Sequence, residues 1–522
     1  MYTEYEIVQQ PLSLRSCRER IERFLAANEL RLDDVDYYAV VTRLGEDKIL
    51  AGGGLSNNII KCIAVDDSLR GTGMSQRLVS HLLSVAQERG YHNVKVFTKP
   101  QNTEIFAGLS FKELASSPLA VLMENGLGGI DNYCKYLSSL RKDGNNGVIV
   151  MNCNPFTLGH KYLIEQASQQ VDNLYVMIVK EDASAFSTSQ RLDMARKACA
   201  EYANVIVCEG SEYSISSLTF PTYFLKKLSD ASDTQISLDI DLFARHIAPA
   251  LNAKFRFVGT EPNDKLTARY NELMAQLLPT HGIKLVEIPR KCINDEAVSA
   301  STVRRFISEE NFTSATKLVP KSTIPYLITK CAVNALFKEL STTPKPGLID
   351  NWDNGAHADM DSNLMTLSIG TLEPYFDKLS NIGFCSILPS ASLVQKIGIE
   401  AEEAMLKATK GVNTHRGALF SLGLAIVGVA YAIYNSSSWS DTVKEIALQI
   451  PASTTSHGAI ARAKYNVTTA LDMAQTGYSD LTSLWLKKYE QLDGDEFQDI
   501  KTLLFIMSTL DDTNIIHRVG YE

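Results

Sequence analysis

Two turns in this chain carry residues suited to phosphate chemistry. The first lies in residues 147–160, where an apolar run from Val148 to Met151 leads into Asn-Cys-Asn-Pro-Phe-Thr-Leu-Gly-His160. The β-branched run predicts a buried strand, and Asn, Pro and Gly predict a tight loop. Tyr162, Leu163, Ile164 and Ala167 mark one face of a helix beginning near His160. A strand, a tight loop and a helix N-terminus aim free main-chain N–H groups and the helix dipole at one spot, which makes an anion site. Gly159 lets the backbone approach a phosphate, Thr157 can hydrogen-bond to it, and His160 can donate to charge developing on it. The second turn is Val298-Ser-Ala-Ser-Thr-Val-Arg304. Ser299 can cap a helix, Ser301 can bond a phosphate oxygen, and Arg304 can neutralise a polyphosphate tail.

These turns need a frame. Strand signals at 174–179, 205–207, 255–258 and 284–288 alternate with helix signals at 190–202, 221–228, 262–278 and 301–307. That alternation predicts a parallel sheet with helices on both faces over residues 147–325, with ligands at the carboxyl ends of the strands. Upstream, a helix at 16–27 and strands at 37–42, 49–53 and 61–65 lead to a loop holding Arg70, Gly71, Thr72, Gly73 and Ser75. A helix at 74–89 and a strand at 93–97 follow, and such a loop can cradle a pyrophosphate with its N–H groups. The Gly-rich residues 123–129 read as a linker and 131–142 as a connecting helix. From residue 324 helices dominate. Polar blocks stand beside them: one with Lys345 and Asp350, continuing to His357, Asp359 and Asp361; one with Asn413, His415 and Arg416; and one at 511–518. Acids suit Mg²⁺, and His, Arg and Lys suit a triphosphate, so the blocks predict a shared polar site in an all-α region.

At 522 residues, with 45% hydrophobic and 21% charged residues, the chain can build about three ordinary domains. The expected division is 1–128, 129–325 and 326–522. A net charge of −9 argues against a nucleic-acid partner bound by a basic surface. Nine cysteines without Cys-x-x-Cys or zinc spacing, and an N-terminus with no basic or apolar leader pattern, suggest a reducing cytoplasm and leave any metal unassigned. Residues 417–435 lack charge and approach membrane-spanning length, but their Gly and Ser breaks favour a buried core helix and no membrane.

Thr157-x-Gly-His160 with the 298–304 turn resembles the paired signatures of the nucleotidylyltransferase superfamily, with Ala300 and Ser301 standing where Ser and Thr are usual. The blocks 179–186 with Arg191, 219–226, 259–262 with Tyr270 and Asn271, and Glu287-Ile-Pro-Arg290 are similar to citrate lyase ligase. The Arg70–Ser75 loop and residues 102–111 resemble GNAT-type N-acetyltransferases, apart from Ser75 and Ser110 where small glycine-like residues are common. The C-terminal blocks resemble triphosphoribosyl-dephospho-CoA synthase, a family that usually continues beyond the point where this chain stops. These resemblances imply a GNAT-like α/β domain with an acetyl-CoA-like loop (Arg70, Gly71, Gly73, Ser75), a Rossmann-like middle domain and an all-α C-terminal domain. They imply ATP, with Mg²⁺ travelling on it, held by Asn154, Phe156, Gly159, Lys180, Arg191, Ser299 and Ser301, with His160, Thr157 and Arg304 at the reacting phosphates. Outside that likeness, Lys180 and Arg191 read as solvated surface cations. The implied reaction acetylates the thiol of the prosthetic group on the citrate lyase acyl carrier protein (its gamma subunit) using ATP and acetate. The implied second activity joins ATP to dephospho-CoA. Two other readings are an adenylyltransferase with another acceptor, and a non-catalytic acetyl-CoA-sensing module that docks a carrier protein.

Overall fold

The computed structural model describes residues 4–180, 184–213, 220–221, 223–224, 231–261, 264–293, 296–452, 457–510 and 516. The chain divides into two compact units, residues 1–300 and 301–522.

The first unit holds two sheets. One is mixed, with β1 (Tyr5–Gln9), β2 (Tyr37–Arg43), β3 (Ala51–Ser56), β4 (Ile59–Val65), β5 (Asn93–Thr98), β6 (Lys112–Ser116) and β7 (Val121–Gly126) in the order β1-β2-β3-β4-β5-β7-β6. Its helices are α1 (Arg15–Ala27), α2 (Met74–Glu88) and α3 (Thr103–Ala107). All neighbours are antiparallel except β4 and β5, which pair in parallel only at Ile59 with Lys95 and Ile60 with Val96. Beyond that point the two strands fork. The expected linker at 123–129 begins as strand: Met123 is buried in β7, and buried Glu124 accepts the Ile130 N–H at 3.1 Å. The glycines there mark only the strand's end.

The other sheet is wholly parallel. It comprises β8 (Asn146–Met151), β9 (Asn173–Ile178), β10 (Val205–Glu209), β11 (Ala253–Gly259) and β12 (Lys284–Ile288) in the order β10-β9-β8-β11-β12. The helices α4 (Gly129–Leu140), α5 (Leu158–Ser168), α6 (Thr188–Cys199), α7 (Ala231–Leu242), α8 (Ala248–Leu251) and α9 (Lys265–Leu277) accompany it. A short hairpin, β13 (Cys292–Ile293) and β14 (Glu296–Ala297), leads to α10 (Ala300–Ser308). Sequence order reverses at β8, between β9 and β11, and such a reversal leaves a crevice at the carboxyl ends of the strands. The two sheets share one apolar core that includes Tyr38, Phe97 and Leu122 from the first and Val148, Tyr175 and Leu238 from the second layer.

The second unit is helical: α11 (Phe312–Thr316), α12 (Ile324–Ser341), α13 (Ser362–Gly383), α14 (Ala391–Ala408), α15 (Arg416–Asn435), α16 (Trp439–Leu448), α17 (His457–Tyr465), α18 (Ala470–Gln475), α19 (Leu486–Gln491) and α20 (Gln498–Thr509). Helix α13 packs against α12, α14 and α15, and α15 also packs against α16. Among the described residues α15 alone is long and apolar enough to cross a membrane by length and composition. Its Leu424, Val427 and Ala430 are buried among neighbouring helices. The polar block at 511–518 lies outside the described residues, Ile516 excepted.

Candidate nucleotide site

The site is built where β8 ends. Thr157 is the N-cap of α5, and its side chain accepts the His160 main-chain N–H at 3.4 Å. The His160 ring completes a reciprocal cap, its Nδ1 accepting the Thr157 N–H at 3.0 Å. Glu or Gln usually makes this second bond, so an imidazole in that place is held by the helix start itself. Because Nδ1 is an acceptor, the neutral ring carries its proton on Nε2 and offers it as a donor. Burial, followed by the nearby Arg290 guanidinium, pushes the imidazole down to about 4, so it is neutral at pH 7. The Phe156 ring, fully buried, backs the imidazole at 5.6 Å between centroids.

Gly159 lies against Val298, the first residue of the second turn. A Cβ at this position would lie 3.0 Å from the Val298 carbonyl oxygen and 3.5 Å from Thr157 Oγ1. Any larger residue would press the 298 carbonyl back by a few tenths of an ångström where that segment meets the start of α5. Val298 is anchored by its N–H to the Lys291 carbonyl at 3.0 Å, across the small hairpin. Ser299 follows it and is half-buried. Ser301, exposed, and Arg304, half-buried, lie in α10 on the second unit's side of the division.

The neighbouring loops are knitted to the first turn. Asn154 Oδ1 accepts the Phe186 N–H at 3.1 Å, joining the loop after β8 to the one before α6. Arg191 lies beneath both. It is fully buried, and its guanidinium donates to the carbonyls of Phe186 (3.0 Å), Asn152 (2.7 Å) and Val179 (2.8 Å), to Asn152 Oδ1 (2.7 Å) and to Thr188 Oγ1 (2.9 Å). The expectation of a solvated surface cation at 191 therefore fails: the charge is buried among main-chain acceptors. Lys180 is exposed just beyond β9.

Three residues not assigned a role from sequence also sit at this edge. Arg290, after β12, donates through Nε to the Thr260 carbonyl at 2.8 Å and pairs with the nearly buried Glu261 carboxylate. Thr260 Oγ1 accepts the Arg290 N–H at 3.3 Å. The arrangement fixes a guanidinium whose field reaches His160. Its sequence signal was present in the 259–262 and 287–290 blocks, but nothing local said that they meet.

The N-terminal loop is open. Gly71 and Gly73 have φ of +76° and +83°, Gly73 begins α2 as its N-cap, and Arg70 pairs with Asp67 at 2.8 Å. Ser75 is half-buried in the first turn. Aromatic residues from elsewhere in the unit pack against residues of β4 and β5. The carbonyl of Cys62, a residue at φ +56° in β4, accepts the Tyr38 hydroxyl at 3.3 Å, and Cys62 lies close enough to the buried Tyr223 to act on its phenol. Phe220 meets Phe97 of β5 edge-on at 5.5 Å, and Phe220, Tyr223 and Phe224 are all buried.

In the second unit the structure brings Lys345, Asp350 and His415 into the interior and leaves the others outside. Asp350 Oδ1 accepts the N–H groups of Trp352 (2.7 Å) and Asp353 (3.0 Å), and Oδ2 accepts Thr343 Oγ1 and the Lys345 N–H (3.1 Å). It shapes its own loop. Asp361 caps α13, Asn413 accepts the Arg416 N–H at 3.2 Å, and exposed Arg416 pairs with Glu402. Asp359 is exposed and His357 half-buried. Among the described residues no group of three or more His, Cys, Asp or Glu could hold a metal ion.

Comparison with known proteins adds the family. Residues 146–327 match the model of the citrate lyase ligase C-terminal domain, and residues 325–522 match that of ATP:dephospho-CoA triphosphoribosyl transferase. A "[Citrate [pro-3S]-lyase] ligase" of Haemophilus influenzae is 41% identical over 59% of this chain and 94% of its own length; one of Escherichia coli is 41% identical over 59% and 89%. A "Probable 2-(5''-triphosphoribosyl)-3'-dephosphocoenzyme-A synthase" of Pseudomonas paraeruginosa is 35% identical over 38% of this chain and 73% of its own. Among solved structures, an acetyltransferase of the GNAT family from Staphylococcus aureus is similar over 24% of this chain and 99% of its own, at 15% identity and a TM-score of 0.20. The chain therefore belongs to the citrate lyase ligase family and carries, joined to that part, a domain of the triphosphoribosyl-dephospho-CoA synthase family.

Proposed function

We propose that the parallel-sheet layer of the first unit, read as a Rossmann-like nucleotidylyltransferase domain, activates acetate with ATP. A carboxylate oxygen attacks the α-phosphorus, the bond to pyrophosphate breaks, and acetyl-AMP forms. The thiolate of the prosthetic group on the citrate lyase acyl carrier protein then attacks the acetyl carbonyl and AMP leaves. Acetate alone is a poor acyl donor, since oxide would have to depart; the mixed anhydride removes that obstacle. The protein's task is alignment and stabilisation of spread negative charge.

The observation that supports this reading is the close approach of the Val298 carbonyl to Gly159 at the start of α5, in the segment that leads into Ser299. His160 Nε2–H donates to the α-phosphate oxygens as charge develops, and Thr157 holds the ring. Ser299, Ser301 and Arg304 receive the β- and γ-phosphates, and Lys180 stands at the rim. Arg191 positions the loops that carry Asn154 and Phe156 and does not touch the nucleotide. Mg²⁺ arrives on ATP, held by phosphate and water. Supplying ATP, acetate and thiol-form citrate lyase should yield AMP and regained lyase activity; AMP without lyase recovery would point to a different acceptor.

The helical unit is read as a second enzyme. The 2'-hydroxyl oxygen of dephospho-CoA bonds to C1' of the ATP ribose, the C1'–N9 bond breaks, and adenine leaves with the hydroxyl's proton. Both activities would serve one carrier protein, and both substrates fit a cytoplasmic location. The three-part division at 128 and 325 is kept as a functional one.

The N-terminal sheet is read as a GNAT-like scaffold, not an acyl-CoA enzyme. The Arg70–Ser75 loop suits a pyrophosphate, but Tyr223 and Phe220 already pack against residues of β4 and β5, the strands on either side of that loop. Calorimetric titration of the intact protein with acetyl-CoA should give no saturable binding up to millimolar ligand. A micromolar isotherm would mean that the Tyr223 and Phe220 side chains give way and that the loop serves a ligand after all.

A further inference from the structure

Two nitrogen-bearing side chains, Lys345 and His415, are buried in the helical unit, and one of them keeps an unpartnered nitrogen. Lys345, with its side chain 1% exposed, sits in the loop after α12. Its ammonium donates to the Glu339 carbonyl at 2.6 Å and to Glu339 Oε1 at 2.7 Å, which occupies two of its three protons. His415 is the N-cap residue of α15 and is 5% exposed. Its Nδ1 bonds Ser368 Oγ of α13 at 2.8 Å, and Ser368 Oγ accepts from Thr414 Oγ1 at 2.7 Å. Thr414 donates to one lone pair of Ser368 Oγ, which frees the Ser368 proton for Nδ1; in that arrangement the ring proton sits on Nε2. That Nε2 is buried and, among the described residues, meets no hydrogen-bond partner. Burial and then the Lys345 charge hold the imidazole down to about 4, so the ring is neutral and feels the ammonium.

A buried donor left unpaired is costly, so natural chains rarely keep one without a purpose. The character of the surroundings decides what would satisfy it. The Lys345 charge is already matched by Glu339, Asp350 stands one bond away through the Lys345 N–H, and the His415 N–H rests on the Met405 sulfur at 3.4 Å. A triphosphate needs several uncompensated cations, and the cation whose charge reaches His415, Lys345, is already paired with Glu339. A neutral heteroaromatic ring with nitrogen acceptors fits it better.

We propose that His415 Nε2–H, supported by Lys345, binds the purine base of ATP through a ring nitrogen and steadies that base as it leaves. This rests on the synthase reading and names the part of the substrate that the site takes. When C1'–N9 breaks, the electron pair passes to the purine, and a donor on a ring nitrogen lowers the energy of that developing anion. His415 is thus a catalytic residue, and Ser368 is a positioning residue that sets its tautomer.

The test uses the full-length protein with free adenine and inorganic tripolyphosphate as separate probes. Wild type should bind adenine; His415→Ala should weaken that binding at least tenfold and leave tripolyphosphate binding unchanged. His415→Gln, which returns an amide donor near the Nε2 position, should recover part of the loss, a result that a purely structural role would not give. Melting curves of each variant establish that it is folded. Loss of tripolyphosphate binding with adenine binding intact would overturn the proposal, as would no change in either. If wild type binds adenine yet releases none from ATP and dephospho-CoA, the synthase reading fails while the base site stands.

Discussion

His160→Ala is expected to lower acetyl-AMP formation by about 10³-fold, the usual consequence of removing a donor aimed at transition-state charge. The protein should stay folded. The variant loses one bond of a helix cap, worth about 1 kcal/mol, while Thr157 still accepts the main-chain N–H of residue 160. The pH dependence follows from the depressed imidazole. With a folded value of about 4 against an ordinary 6.5, the ring remains a neutral donor from pH 8 down to about 5, so acetate activation should show no His160 titration in that range. The sign for stability is equally fixed. The unfolded ring takes up a proton below pH 6.5 and the folded one resists until about 4, so its contribution is complete above 6.5 and lost as pH falls through 4. Single-turnover formation of acetyl-AMP, alongside thermal melts, checks both. A variant with near-normal turnover would take His160 out of the mechanism.

Arg191→Ala is expected to act in the opposite manner, on stability first. The guanidinium binds three main-chain carbonyls and two side-chain oxygens from full burial. Removing it leaves several buried acceptors without donors, and loss of a buried, hydrogen-bonded charge typically costs about 3–5 kcal/mol. Denaturant midpoints should fall accordingly, and Arg191→Lys should recover only part, because one ammonium cannot span the same fork of acceptors. A normal midpoint with a raised KM for ATP would instead return Arg191 to the nucleotide.

Much of the site was legible because its signals are local. The Val148–Met151 run, the Asn-Pro turn and the Thr-x-Gly-His helix start each follow from adjacent residues, and β8 and α5 lie where that reading puts them. What could not be read depends on partners distant in sequence. Whether Arg191 meets phosphate or carbonyls is decided by how the loops after β8 and β9 close over it. Arg290 reaches its place only because β12 lies beside β11. Helix α7 shows a different failure. Its buried Ile236, Leu238, Ile240 and Leu242 alternate like a strand, yet the segment is helical because it is apolar enough to be buried on more than one face. The hairpin of β13 and β14 has strands of two residues each, too short for any periodicity. In the helical unit, Asp350 read only as one acid of a shared polar site, and the four hydrogen bonds by which it organises its loop had no signal of their own.

The central claim is that acetate, not a nucleotide or a pantetheine phosphate, meets the α-phosphorus at the start of α5. Exchange of labelled pyrophosphate into ATP measures this directly, without the carrier protein. The expected result is exchange that requires acetate, saturates with it, and disappears in His160→Ala. Exchange indifferent to acetate, or AMP release with no exchange at all, would contradict the account.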